Sequence, residues 1–260
     1  MSKTLTKEMT KENVAVKTIL VSQPAPTQDS SPYFDLIKKM NVKIDFRSFI
    51  HVQGVEATEF RKERINLSDY QSVILTSKNA VDHFFRIAKE MRYEIPIALK
   101  YYCVSEAIAL YLQKYVVYRK RKICFGKLKF ADLMTTIKKN KSEKFLLPTS
   151  DILKPVIPEL LDAANIDYKR AVLFRTVCSD LSDLEDVFYD ILVFYSPSGI
   201  KSLFQNFPDF VQNNTRIATF GPTTTKAAQE HGLEVDIQVP TPKAPSMTMA
   251  LEQYIKASRK

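Results

Sequence analysis

The feature that most constrains the fold of this chain is an internal repeat, in which three kinds of segment recur in the same order about 120 residues apart. The first kind is a strand, a polar loop, a helix and a second strand. The second is a strand that runs into a serine turn, and the third is a strand, a turn and a helix. The paired segments are residues 17–50 and 144–174, residues 72–88 and 190–207, and residues 101–115 and 216–232. A period this long indicates a duplicated domain and not a solenoid.

Strands that alternate with helices predict an α/β fold built on parallel sheets, with helices covering both faces of each sheet. The chain has 260 residues, of which 45% are hydrophobic, and this is enough to form two cores of ordinary domain size. We therefore expect two α/β domains. Ligands of parallel sheets bind outside the carboxyl ends of the strands, so the turns at those ends are the candidate site.

One of these turns lies in the stretch TFGPTTTKAAQEHG, which begins at Thr219 and ends at Gly232. Gly221 gives the backbone freedom, and Pro222 suits the first turn of a helix. The threonines that follow place small hydroxyls beside amides that lack intrahelical partners, and such a turn can hold an anion. The alternative is that a threonine simply caps the helix.

Small hydroxyl residues recur at the other predicted strand-to-helix turns. Ser77 and Ser196 occupy equivalent corners of the repeat, and Ser105 lies opposite Gly221. If these turns face one groove, they form a site lined with hydrogen-bond donors; otherwise each residue caps its own helix. Lys78 projects from the Ser77 turn, where it either pairs with a ligand carboxylate or is an ordinary surface lysine. The hydroxyl residues expected at the groove are Ser22, Ser77, Ser105, Ser150, Ser196, Ser198, Thr223 and Thr224.

The chain carries a formal net charge of +9 at pH 7, which favours an anionic partner. Part of the excess lies in the run RKRK at residues 119–122. Few aromatic residues are interleaved with this run and no nucleic-acid-binding motif accompanies it. We interpret it as solvated surface and expect no nucleic-acid partner.

Cysteine and histidine spacing indicates neither a disulfide framework nor a metal site. Cys103, Cys124 and Cys178 are an odd number at wide spacings inside apolar segments, which predicts buried thiols in a reducing compartment. The three histidines are scattered without metal-ligand spacing. Residues 1–16 lack the apolar core of a signal peptide, and no later run is long enough to span a bilayer. These features predict a cytoplasmic protein with a disordered tail at residues 1–16.

Four stretches carry a family resemblance when they are taken together. They are VILTSKNAV, VFYSPSGIKSLF, IATFGPTTTKAAQEHGLEVD and the closing PTPKAPSMTMAL. They resemble the uroporphyrinogen-III synthase family, whose members close the linear tetrapyrrole hydroxymethylbilane into a macrocycle. The resemblance runs from about Lys17 to the C-terminus in the right order, and the G-P-T-T and S-P-S-G turns together carry most of its specificity.

The resemblance implies an architecture that agrees with the repeat. Family members have two flavodoxin-like parallel-sheet domains, one of them discontinuous, joined by a two-stranded β-ladder. On this chain residues 17–45 and 184–260 would form domain 1, and residues 67–167 would form the inserted domain 2. Residues 46–66 and 168–183 would form the linker.

The resemblance also implies a reaction. The substrate carries eight carboxylates, and loss of its terminal hydroxyl as water gives a cation that attacks the substituted carbon of the last ring, which ends up inverted. The protein would be a cofactor-free, monomeric lyase of tetrapyrrole and haem biosynthesis that folds and positions the substrate in an inter-domain cleft. The site residues so implied are Ser77, Lys78, Ser105, Ser150, Ser196, Ser198, Gly199, Gly221, Thr223 and Thr224.

The sequence departs from the family pattern at three positions. A tyrosine that is proposed to help the hydroxyl leave aligns with Phe174, a threonine with Ile108, and an arginine with Gln23. The general acid is therefore unassigned. Residues close enough in sequence to supply a donor instead are Tyr168, Arg175 and Tyr195.

Two further functions remain open on the sequence. Phe174 favours a catalytically weak family member that binds a tetrapyrrole or another polyanion without turning it over. The basic run at residues 119–122 would instead serve a nucleic-acid-binding protein. The product isomer formed from hydroxymethylbilane distinguishes the enzyme from both of these alternatives.

Overall fold

A computed structural model of the protein describes residues 15–259. Two units divide the chain: unit 1 contains the chain up to His51 and from Val177 onward, and unit 2 is Val52–Thr176. Residues 1–14 of the predicted tail lie outside the described residues. Val16, which the prediction also placed in the tail, is 1% exposed and packs in the core of unit 1, so the ordered chain begins earlier than expected.

Short strands and helices alternate along the chain. The strands are β1 (Thr18–Val21), β2 (Lys43–Phe46), β3 (Ile50–Gly54), β4 (Ser72–Leu75), β5 (Lys100–Cys103), β6 (Ile123–Phe125), β7 (Phe145–Ser150), β8 (Tyr168–Cys178), β9 (Ile191–Phe194), β10 (Arg216–Phe220) and β11 (Val235–Val239). The α-helices are α1 (Pro32–Met40), α2 (Ala57–Phe60), α3 (Lys78–Glu90), α4 (Glu106–Tyr111), α5 (Phe130–Lys139), α6 (Val156–Ala163), α7 (Pro197–Asn206), α8 (Pro222–Glu230) and α9 (Met247–Ala257).

Unit 1 contains a five-stranded sheet in the order β11-β10-β9-β1-β2, and every adjacent pair of strands is parallel. Numbered along the chain within the unit, this order is 2-1-3-4-5, the doubly wound arrangement of flavodoxin. The central strands β1 and β9 are almost wholly apolar because helices cover both faces: α1 and α9 pack on one, α7 and α8 on the other. The prediction of a parallel α/β fold is confirmed.

Unit 2 contains a six-stranded sheet in the order β3-β8-β7-β4-β5-β6. The five strands from β8 to β6 are parallel. Numbered along the chain their order is 3-2-1-4-5, which differs from that of unit 1, but β7, β8, β4 and β5 stand in the places of their repeat counterparts β1, β2, β9 and β10. At the edge, the Val55 amide donates to Leu173 O and the Ser179 amide to Phe49 O, both at 2.9 Å, so β3 runs opposite to β8. Helices α3 and α4 cover one face, and α5 and α6 cover the other.

The units meet along the chain at places that differ in detail from the predicted boundaries. The chain crosses between His51 and Val52 and again between Thr176 and Val177. Strand β8 pairs with β7 from Tyr168 through Phe174, so this part of the predicted linker belongs to the sheet of unit 2. The reason is apolar burial, since Ala171, Leu173 and Phe174 face the core.

Asp190 joins the two chain segments of unit 1 at the start of their strands. Its Oδ2 accepts from the amides of Lys17 and Thr18 at 2.8 and 2.9 Å, and from Thr18 Oγ1 at 3.2 Å. The residue is 9% exposed, so these groups have little access to water as a substitute partner. The carboxylate therefore fixes β1 beside β9.

We expect Asp190→Ala to lower the free energy of unfolding by about 2–3 kcal/mol, because it leaves two amides without their charged acceptor. Asp190→Asn, which keeps one oxygen, should lose less. Urea unfolding followed by circular dichroism measures the change, and Asp209→Ala, at an exposed site, is the matched control expected within about 0.5 kcal/mol of wild type. Equal stability of the two alanine variants would contradict this role of Asp190.

Candidate functional site

In unit 1, the turns that leave the carboxyl ends of three adjacent strands bring several predicted residues together. Ser196 caps α7, and its Oγ accepts from the Gly199 amide at 3.2 Å. A Cβ built on Gly199 would lie 3.6 Å from Ser22 Oγ and 3.7 Å from Ser196 Oγ. The hydroxyls that follow β1 and β9 therefore flank the first turn of one helix.

The third turn of unit 1 follows β10 and begins at Gly221, whose φ of 87° and ψ of 150° suit glycine alone. Thr225 Oγ1 lies 2.7 Å from Thr219 Oγ1 and donates to Gly221 O at 3.2 Å, which ties the turn to the strand. Thr223 is exposed, whereas Thr224 is only 1% exposed. Of these two predicted residues, Thr223 is the one that solvent or a ligand reaches.

The equivalent turns of unit 2 follow β7, β4 and β5, which are neighbours in the sheet. Ser77 caps α3 by accepting from the Ala80 amide at 3.0 Å, as Ser196 does in unit 1. Ser105 begins α4 without a side-chain cap, and Ser150 Oγ donates to Ile152 O at 2.5 Å. Lys78 is exposed, with its Nζ 5.2 Å from the centre of the Tyr111 ring.

The free hydroxyls of these turns define what each rim can bind. Within residues 15–259, five of the eight predicted hydroxyls have no hydrogen-bond partner, whereas those of Ser77, Ser150 and Ser196 have one. The amides of the first turn of α8 are open, as at any helix start. A hydroxyl that accepts a capping bond, as in Ser77 and Ser196, still has its own proton to donate. The hydroxyls without a partner are those of Ser22, Ser105, Ser198, Thr223 and Thr224, of which Thr224 is buried.

Metal and thiol chemistry receive no support from the part of the chain that the structure describes. Its histidines, cysteines and carboxylates form no cluster of three or more that could hold a metal ion. All three cysteines are free, and burial raises the pKa of the Cys103 thiol to about 12, so this thiol stays protonated. No helix of the described residues is both long and apolar enough to cross a membrane.

Comparison with known proteins places this geometry in a family. The sequence matches the family model described as uroporphyrinogen-III synthase HemD over residues 32–249. The chain belongs to the uroporphyrinogen-III synthase family. A uroporphyrinogen-III synthase of Saccharomyces cerevisiae is 29% identical over 139 residues, and that match spans 47% of this chain and half of the yeast protein.

Solved structures of the same family share the fold. Uroporphyrinogen-III synthetase of Helicobacter pylori has a TM-score of 0.57 at 19% identity, with 92% of this chain and 99% of that chain covered. A mutant uroporphyrinogen III synthase of Thermus thermophilus has a TM-score of 0.52 at 12% identity, with the same coverage. At these sequence identities the similarity establishes the fold alone. The roles of single residues have to be argued from the geometry of this protein.

Phe174, which the resemblance is expected to align with a family tyrosine, lies on the rim of unit 2 beside the turn that follows β7. It is paired with Ser150 in the sheet and is 6% exposed. Its ring stacks on His83 of α3, with centroids 5.0 Å apart and an interplanar angle of 17°. Burial, and then the Arg86 guanidinium, lower the pKa of His83, so the imidazole beside Phe174 is held neutral.

The three residues considered as donors in place of the tyrosine lie in different surroundings. Tyr168 begins β8, about 20 Å along the strand from Phe174, so its expected role is wrong. Arg175 is engaged with Glu59, and this contact raises the pKa of the arginine. Tyr195 follows β9 directly and lies on the rim of unit 1, one residue before the Ser196 cap.

Tyr195 has a partner that the sequence did not reveal. Its hydroxyl lies 2.5 Å from the hydroxyl of Tyr33, at the start of α1, and its ring stacks on Phe220 at 5.5 Å. Burial raises the pKa of both tyrosines, and the Tyr195 hydroxyl raises that of Tyr33 further. The rim of unit 1 therefore holds two phenols that stay protonated and share one hydrogen bond.

We expect Gly221→Ala to lower the free energy of unfolding by about 1–3 kcal/mol, because a side chain there is strained at positive φ. Gly199→Ala is the matched control, since a Cβ at that position meets its neighbours at ordinary contact distances of 3.4–3.7 Å. It should change stability by no more than about 0.5 kcal/mol. Urea unfolding measures both, and a larger loss for Gly199→Ala than for Gly221→Ala would refute the assignment.

Proposed function

We propose that this protein converts hydroxymethylbilane to uroporphyrinogen III, with loss of water and inversion of the last ring. The observation that carries the proposal is the family match over residues 32–249, joined to hydroxyl-bearing turns at the carboxyl ends of both parallel sheets. These ends are where α/β sheets bind ligands. The cyclisation belongs to tetrapyrrole and haem biosynthesis.

Carboxylate binding at helix starts supplies the recognition. The substrate has eight carboxylates, so it offers groups to the turns of both units. In unit 1 we assign this binding to the starts of α7 and α8, with Ser196, Ser198 and Thr223 as donors. In unit 2 we assign it to the start of α3, where Ser77 donates and Lys78 adds a cation.

The remaining predicted residues have supporting roles in this proposal. Ser105 and Ser150 extend the row of hydroxyls along the edge of unit 2, where β5 and β7 flank β4. Gly199 lies between the hydroxyls of Ser22 and Ser196, and Gly221 sets the turn from which Thr223 projects. Thr224 packs beneath that turn.

Catalysis is chiefly positioning, because folding a flexible chain so that one carbon can be reached removes much of the barrier. The leaving hydroxyl still needs a donor, and we assign this task to the pair of Tyr33 and Tyr195. Two phenols that share one hydrogen bond keep one proton free. Since burial raises both pKa values, the free phenol keeps its proton and donates a hydrogen bond to the oxygen as it departs as hydroxide. The proton that completes the water molecule is the one that the last ring carbon loses when the macrocycle closes.

We further propose that the protein works in the cytoplasm, as a monomer and without a cofactor or a nucleic-acid partner. Three free cysteines support a reducing compartment. A second candidate function is binding of a tetrapyrrole without turnover. The observation that favours it is the phenyl ring of Phe174, which has no proton to donate at the position where family members carry a phenol.

Incubation of the pure protein with freshly made hydroxymethylbilane, followed by separation of the product isomers, distinguishes the two functions. We expect the inverted isomer to dominate, because a positioned substrate closes on the substituted carbon before it can close spontaneously. A protein-free reaction, which gives the uninverted ring, is the control. Saturated binding with no enrichment of the inverted isomer would favour the binder and refute the enzyme.

We expect one of Tyr33→Phe and Tyr195→Phe to lower kcat about ten- to hundredfold with little change in KM, because the donor acts only as the hydroxyl leaves. Tyr70→Phe is the matched control, since its phenol makes no hydrogen bond with any residue in 15–259. Phe174→Tyr should raise kcat by no more than about tenfold. If Tyr33→Phe and Tyr195→Phe both keep the wild-type kcat, and Phe174→Tyr raises kcat by more than about tenfold, the assignment is contradicted. The donor would then belong at position 174.

A further inference from the structure

A cavity of about 770 Å³ lies within unit 2, between α3 and the loop that joins α4 to β6. Leu99 and Ile123, which line it, stand at the amino ends of β5 and β6. Ser77 and Ser105 lie at the carboxyl ends of β4 and β5. The cavity is therefore at the end of the sheet opposite to the turns assigned to the substrate, and the proposed function does not use it.

The walls of the cavity offer flat apolar surface. Phe85 and Tyr115 stack with centroids 4.3 Å apart and an interplanar angle of 6°, and Tyr115 remains 42% exposed. Ile97 and Val117 line the same cavity and are 73% and 82% exposed, a large fraction for side chains of this kind. A volume of this size accommodates a ligand of a few fused rings, and the parallel rings favour a planar one.

The rim of the cavity is cationic. Arg86, Lys89, Arg119 and Lys122 line it, and Asp82 is the one carboxylate among the lining residues. Asp82 is already engaged, because it accepts from the hydroxyls of Tyr111 and Tyr115 at 2.7 Å each.

Two of the rim cations are available to a ligand. Arg119 is exposed and makes no ion pair with any residue of the described chain, and Lys122 Nζ contacts only Ile97 O. Tyr115 adds no negative charge, since its bond to Asp82 raises its pKa to about 12. The basic run at residues 119–122 thus places its first and last members at the cavity mouth: Arg119 and Lys122 line it, whereas Lys120 and Arg121 do not.

A second cavity in the protein provides a comparison for the charge of the first. It has a volume of about 410 Å³, lies within unit 1 and is lined by apolar residues with Glu185 and Asp209 but no lysine or arginine. Both cavities suit an apolar body, but only the one in unit 2 also attracts a negative charge. Charge complementarity therefore selects the ligand class of the larger cavity.

We propose that the cavity of unit 2 is a binding site for a small organic anion with a planar aromatic body. The rings of the ligand lie against Tyr115 and between Ile97 and Val117, and its anionic group meets Arg119 and Lys122. The basic run is then a recognition element for a small molecule.

Anilinonaphthalene sulfonate, which has a planar apolar body and one negative charge, is the probe, and N-phenylnaphthylamine is its neutral counterpart. Fluorescence titrations of the full chain give the affinity of each. We expect Arg119→Gln with Lys122→Gln to weaken sulfonate binding about tenfold or more and amine binding less than about twofold. The double variant Lys120→Gln with Arg121→Gln also removes two positive charges, but beside the cavity and not at its mouth. It should change the affinity for the sulfonate and for the amine by no more than about twofold each.

A substitution at an exposed position tests the cavity without disturbing a buried contact. Ile97→Glu places a carboxylate at the mouth and should weaken sulfonate binding about tenfold, whereas Leu128→Glu, 78% exposed in the same unit and outside the cavity, should not. Equal losses in the two double variants, wild-type binding by Ile97→Glu, or no saturable binding by the wild-type chain would each overturn the proposal.

Discussion

The pairing of β1 with β9 is the contact on which the rest of the structure depends. Unit 1 is made from two chain segments, and the whole of unit 2 lies between them in sequence. Asp190 joins them at one end by binding the amides of Lys17 and Thr18, and the parallel ladder continues from there. The same pairing delivers Ser22 and Ser196 to the two sides of Gly199. One carboxylate therefore supports both the core of unit 1 and the arrangement of its rim.

Local patterns of the sequence were sufficient to predict the elements and the caps at Ser77 and Ser196, although neither Ser105 nor a threonine of the α8 turn caps its helix. The repeat predicts two parallel sheets because each segment alternates a buried strand with an amphipathic helix, and strands that correspond in the repeat do occupy equivalent places in the two sheets. Ser77 and Ser196, predicted as equivalent corners, cap their helices with nearly equal bonds of 3.0 and 3.2 Å. A cap depends on residues three positions apart, so the sequence contains all the information that it needs.

Contacts between residues that are far apart in the chain could not be predicted from local sequence patterns. Tyr33 and Tyr195 are 162 positions apart, and only the sheet order brings their hydroxyls together. Thr223 and Thr224 are the same residue type at adjacent positions, but they lie on different faces of α8. Thr223 is therefore exposed, whereas Thr224 is buried. The basic run at residues 119–122 was interpreted as solvated surface because its charges are local, whereas the cavity beside it is formed by elements from elsewhere in unit 2.

The rims of the two sheets are alike in their helix starts and unlike in the side chains beside them. Both rims present capping hydroxyls at helix starts, and such groups recognise carboxylates by geometry alone. The rim of unit 2 carries Phe174 stacked on a neutral His83, a pair that provides packing and no strong acid. The rim of unit 1 carries the two phenols, whose raised pKa values keep their protons in place. In the function that we propose, one donor is enough to assist the leaving hydroxyl. A phenyl ring at residue 174 is therefore compatible with a working enzyme, provided that the phenols of unit 1 reach the departing oxygen.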